Sequence, residues 1–171
     1  MYRAKNIIDD DMLFVLDNLR EEDKIECVVN RGENFTNEIL NDLKNLSPSD
    51  SFLLAKTKKD NIPVLIAGVK HIEKSIGCVF LLSTKEIEKH QICFLKEMKK
   101  EIEKYDEKYS ILFNQIYKTN HLAKNWLKWV GFRFPLEETK LNQLDKTFLK
   151  LKTPENFEIF YRERPLKGLG E

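Results

Sequence analysis

Apolar residues recur at helical spacing through the first part of the chain and give way to short β-like runs further on. Met12, Leu13, Leu16 and Leu19 form the first stripe, directly after Asp9-Asp10-Asp11. Carboxylates there belong in the first turn of a helix, where each is worth about 0.3–1 kcal/mol against the partial positive charge of the N-terminus. A short extended segment, Tyr2 to Asn6, comes before it. A second helix is predicted over Glu21 to Val29. A third runs from Thr36 to Leu46, with Phe35, Ile39, Leu40, Leu43 and Leu46 on its inner side.

The pattern then changes period. Ser51 to Lys56 and Ile62 to Lys70 read as strands joined by a Lys58-Lys59-Asp60-Asn61 turn. Gly77-Cys78-Val79-Phe80-Leu81-Leu82 is continuously apolar, the pattern of a strand covered on both faces. Ser83-Thr84-Lys85-Glu86 follows in the form of a capping box. The long helix it would open turns Ile87, Gln91, Phe94, Leu95, Met98, Ile102 and Tyr105 to one side, and Lys and Glu residues to the other. A strand from Ser110 to Tyr117 and a helix from His121 to Val130 come next, the latter ended by Gly131. Phe132-Arg133-Phe134 and Phe157 to Tyr161 supply late strands. Between them, residues 136–152 read as an irregular excursion with a strand at Thr147 to Leu151. The order predicts an α/β (α+β) domain, a mixed central sheet with helices on both faces, spanning 1–171 as one unit.

Composition narrows the classes. At 171 residues, 42% of them hydrophobic, the chain has the size and apolar content of one folded domain. No apolar run reaches the roughly 18 residues of a spanning helix, so membrane insertion is not expected. Nor does the N-terminus resemble a secretory signal, which points to the cytoplasm as the place of synthesis. Lys and Arg total 29 against 28 acidic residues, for a net charge of +1. Nucleic-acid binders draw affinity from a basic excess, so direct nucleic-acid binding is not expected. Cys27, Cys78 and Cys93 form no C-x-x-C pair, and His71, His90 and His121 lie at no zinc-ligand spacing; no metal site is expected. Cys78 and Cys93 read as small buried hydrophobes.

Among candidate chemistry, Asp23 and Glu26 fall on one face of the second helix, and Glu26 is a candidate base for an amine; both also read as solvated or capping residues. Trp126 reads as core, and Trp129 as an exposed anchor for a partner.

Asn120, Ala123 and Gly131-Phe132 carry a resemblance. With Leu19-Arg20-x-x-Asp23-x-x-Glu26, Phe80-Leu81-Leu82-Ser83-Thr84, Phe94-Leu95 and Asn114, they are similar to GNAT (N-acetyltransferase superfamily) proteins of phages, the internal virion protein A type of short-tailed phages. The resemblance covers about residues 15–134. It implies a GNAT-like sheet, acetyl-CoA as a cofactor, and a binding region formed by Phe80, Leu81, Leu82, Ser83, Thr84 and Asn120. It also implies a virion structural or assembly role after synthesis in the host cytoplasm, with other phage virion proteins as partners. The alternative is an acetyl-CoA-dependent N-acetyltransferase acting on a protein or small-molecule amine.

Two departures from the family pattern weaken the catalytic expectation. The stretch after Leu82 has no glycine of the Q/R-x-x-G-x-G/A loop whose amides cradle pyrophosphate, and it carries Glu86 and Glu88. Leu127 stands where active members carry a proton-donating Tyr, a loss of about 10²–10⁴-fold. Tyr117 or Tyr161 replaces that acid only if folding brings its hydroxyl within reach. Acetyl transfer is therefore expected to be weak or absent.

Overall fold

The acidic run Asp9-Asp10-Asp11 does open a helix, α1 (Asp9–Asp17), followed by α2 (Glu21–Arg31) and α3 (Phe35–Lys44). The computed structural model describes residues 2–3, 9–73, 75–134 and 154–164. Its strands are β1 (Tyr2–Arg3), β2 (Ser51–Lys56), β3 (Pro63–Glu73), β4 (Ile76–Ser83), β5 (Ile111–Tyr117) and β6 (Phe157–Glu163). A 3₁₀ helix (Lys85–His90) and α4 (Gln91–Lys108) lie between β4 and β5, and α5 (His121–Trp129) follows β5. The fold is α/β with a mixed sheet: β4 and β5 run parallel, whereas β1–β2, β2–β3 and β5–β6 are antiparallel.

The chain divides into two units, one of Met1–His71 with Val79–Glu97, the other of Ile72–Cys78 with Met98–Glu171. In the first, the inward stripes of the three helices, Met12, Val15, Leu16, Cys27, Phe35, Ile39 and Leu43, bury against Leu54 of β2 and Ile66 of β3. Fully burying such a side chain contributes about 1.5–3 kcal/mol. The β2–β3 hairpin turns through Asn61, whose φ of 58° suits an asparagine in the left-handed region. Lys56 of β2 reaches Asp11 of α1 in a mostly buried ion pair of 2.6 Å.

The strand covered on both faces is β3, buried without interruption from Pro63 to Val69, and not β4, which mixes buried positions with half-buried ones, Phe80 to Leu82 among them. Continuous hydrophobicity in β4 therefore marks partial cover. The capping box is also absent. Neither Ser83 nor Thr84 caps by side chain, and the segment starts as a 3₁₀ turn before α4. Cys93 is exposed and Cys78 half-buried, so neither is the fully buried hydrophobe expected; Cys27 is the buried one.

In the second unit, Ile76–Cys78 pairs with Ile111–Phe113, and β6 runs antiparallel along the whole of β5. Asn120 caps α5, its side-chain oxygen accepting from the Ala123 N–H at 3.3 Å. Gly131 leaves α5 at φ +95°, and the Arg162 guanidinium occupies the space beside it, bonding Asp106 at 2.6 Å and the Val130 carbonyl at 3.0 Å. Phe132-Arg133-Phe134 forms no strand among the described residues; Arg133 makes a single bridge to Tyr161. The expected excursion at 136–152, with its strand at Thr147 to Leu151, lies outside the described residues. No helix among the described residues is long and apolar enough to cross a membrane.

Candidate functional site

The C-terminal end of β4 is tied to the start of α2 by a buried polar cluster. Ser83 donates its backbone N–H to Asp23 Oδ2 at 3.0 Å and its hydroxyl to the same oxygen at 2.7 Å. Arg20 closes the triangle. Its Nη2 bonds Asp23 Oδ1 at 2.6 Å, its Nε bonds Ser83 Oγ at 3.1 Å, and its backbone N–H bonds the Ser83 carbonyl at 2.9 Å. Arg20, Asp23 and Ser83 are exposed by only 1%, 6% and 0%. A buried guanidinium and carboxylate persist only when paired and hydrogen-bonded, and here the strand end supplies the additional bonds.

Thr84 is equally engaged. Its N–H bonds the Val64 carbonyl at 2.8 Å, its hydroxyl bonds the same oxygen at 3.2 Å, and Leu19 bridges to it. Ile87, fully buried, anchors the 3₁₀ turn that follows. On the outer side of that turn, Glu86 pairs with Lys89 at 2.8 Å and approaches His90 at 3.5 Å. The hydrogen bond from Lys89, with the charges of Lys89 and His90, holds the Glu86 carboxyl below its ordinary value despite slight desolvation.

Phe80 and Leu82 pack against the helical core of their unit, and Phe80 lies over Gly68, where an added methyl would meet its ring at 2.6 Å. Leu81, between them, points to the opposite face of the strand. Ser83 and Thr84 have their donors committed internally. Asn120 is buried in the second unit as a helix cap.

Glu26 is half-buried on α2, one turn beyond Asp23. Reading Asp23 as a solvated residue fails, because Arg20 and Ser83 enclose it. Tyr117 ends β5, its ring edge-on to Phe157 at 5.4 Å and its carbonyl accepting from the Asn120 N–H at 2.9 Å. Tyr161 is buried beside Phe113, flanked by Ile111 and Ile159, which withdraws it from solvent chemistry. Leu127 is half-buried on α5. Trp126 is core and Trp129 is exposed, with Lys99 Nζ 5.8 Å from its ring centre.

Arg20 and Ser83 as partners of Asp23 are what the sequence reading missed. Arg20 and Asp23 at i, i+3 were visible as a pair; nothing local pointed to Ser83.

Solved structures share this chain's fold over nearly its whole length. An acetyltransferase of the GNAT family from Staphylococcus aureus Mu50 superposes with a TM-score of 0.66 at 17% identity, covering 95% of this chain and 96% of that one. An acetyltransferase from Streptococcus agalactiae gives 0.65 at 8% identity, over 95% and 97%. PaiA N-acetyltransferase from Thermoplasma acidophilum, in complex with coenzyme A, gives 0.59 at 15% identity, over 95% and 99%. The fold is that of the GNAT acetyltransferases. At these identities the likeness establishes the GNAT fold alone. No family model and no curated protein matches the sequence.

Proposed function

We propose that this chain is a GNAT-fold protein of the acyl-CoA N-acyltransferase type in which acetyl transfer is weak or lost. The observation that carries this reading is the commitment of Ser83 and Thr84. A diphosphate needs amide and hydroxyl donors free to point at it. At the end of β4 those donors go to Asp23 and to the Val64 carbonyl. The donors of Ser83 and Thr84 are therefore not turned toward a coenzyme A phosphate. Leu127, where the family resemblance calls for a tyrosine, has no proton to give a leaving thiolate. Tyr161, the other hydroxyl considered as a replacement acid, is buried at 2% exposure beside Phe113.

The phage resemblance extends this reading to a virion structural or assembly role with other virion proteins as partners. It rests on the sequence similarity, and mass spectrometry of purified particles tests it. Repeated absence of the chain from virions removes that part and leaves the biochemical reading intact.

A second reading is an active acetyl-CoA-dependent N-acetyltransferase, with Glu26 as base toward an amine. The shared fold of the coenzyme A complex of PaiA favours it. The two readings separate in one assay: purified protein, acetyl-CoA and a panel of polyamines and peptide amines, following release of free thiol. The proposed reading gives rates close to the protein-free blank. Turnover in the ordinary enzyme range of about 1–10³ s⁻¹ on any amine overturns it.

A further inference from the structure

We propose that Asp23 is an internal anion filling an oxyanion seat at the end of β4, and that its occupancy denies this seat to an external phosphate or carboxylate. The inference deepens the reading of a weak coenzyme site and rests on it. The seat has the composition of an anion receptor. Arg20 Nη2, the Ser83 N–H and the Ser83 O–H all converge on one carboxylate, with bonds of 2.6 to 3.0 Å, and Arg20 Nε holds the Ser83 hydroxyl oxygen at 3.1 Å. Charge-assisted bonds of this kind are short and strong, and Arg provides the fork that a carboxylate or phosphate matches. The occupant comes from the chain itself, on the first turn of α2. Because all three residues are buried, an external anion must either displace Asp23 or meet its negative charge at close range.

Removing the carboxylate opens the seat. Sodium formate, at ionic strength matched with chloride, is added to the Asp23→Gly chain and to the unaltered one. Formate raises the melting temperature of Asp23→Gly by about 2 °C or more in a concentration-dependent way and leaves the unaltered chain unmoved. Equal responses of the two chains overturn the seat. Asp23→Asn removes the charge while keeping the shape and a carbonyl oxygen for the Ser83 donors, so it disturbs the cluster less than Asp23→Gly and serves as the second variant. Calorimetry then gives acetyl-CoA affinity about tenfold or more tighter in Asp23→Asn than in the unaltered chain, the repulsion having gone. An unchanged affinity overturns the exclusion. Tight acetyl-CoA binding by the unaltered chain contradicts the proposed function instead, and the ratio between the two chains still decides this inference.

Discussion

One carboxylate oxygen of Asp23 accepts both the backbone N–H and the side-chain O–H of Ser83, a residue sixty positions further along the chain. Neither residue is exposed enough for water to replace the partner it would lose. Asp23→Ala leaves the Arg20 guanidinium buried without its counter-charge and is expected to cost about 3–5 kcal/mol. Ser83→Ala removes a hydroxyl and keeps the amide bond, for about 1–3 kcal/mol. Urea unfolding of the two variants checks the ranking. A loss under about 1 kcal/mol for Asp23→Ala would mean that the cluster is not a stabilising tie.

Gly131 and Gly32 both have positive φ, +95° and +78°, yet differ in their surroundings. A methyl group at Gly131 would fall 2.1 Å from Arg162 Nη1, whereas at Gly32 it meets nothing within 4 Å. Gly32→Ala should cost only the backbone penalty of its extended positive-φ conformation, about 1–3 kcal/mol. Gly131→Ala adds displacement of the guanidinium from Asp106 and the Val130 carbonyl, and should cost at least about 1 kcal/mol more. Equal losses in thermal unfolding would assign both effects to φ alone.

How much of this was legible beforehand follows from the range of the interactions. The three helical stripes, the β2–β3 hairpin and the Asn120 cap depend on neighbours within a few positions, and the sequence predicts each to within a few residues. The candidate site depends on distant partners. Ser83 read as part of a capping box because Glu86 stands three residues on, but its hydroxyl is held by Asp23, and Glu86 pairs with Lys89 instead. Cys93 read as buried from the apolar Phe94 and Leu95 beside it. On a helix successive residues face different directions, so Phe94 is buried and Cys93 is not. The continuous apolar run predicts β4 as the strand covered on both faces, whereas β3 holds that place. Hydrophobicity is as continuous in β4 as in β3, and only the packing separates them.

The cysteines offer a chemical check. Burial, reinforced by the negative charges of Asp23 and Glu26, pushes the Cys27 thiol up to about 12. It stays protonated and enclosed at pH 8, while Cys93 stands exposed. Iodoacetamide at pH 8 should modify Cys93 first and Cys27 only on unfolding, as read by peptide mass spectrometry. The linkage has a definite sign: a folded-state value above the unfolded one contributes stability below the ordinary thiol range, lost as pH rises toward about 12. Cys27→Ala should flatten that alkaline slope, and an unchanged slope would remove Cys27 as its source.

At the end of β4, Ser83 and Thr84 direct their donors to Asp23 and the Val64 carbonyl, and under the proposed function coenzyme A finds no phosphate cradle there. Calorimetric titration of the purified chain with acetyl-CoA tests it most directly. The account predicts no saturable heat below millimolar ligand and no thermal stabilisation at those concentrations. Saturable binding with a micromolar Kd, accompanied by a stability gain of about 2.7 kcal/mol at a hundredfold excess over Kd, would contradict it.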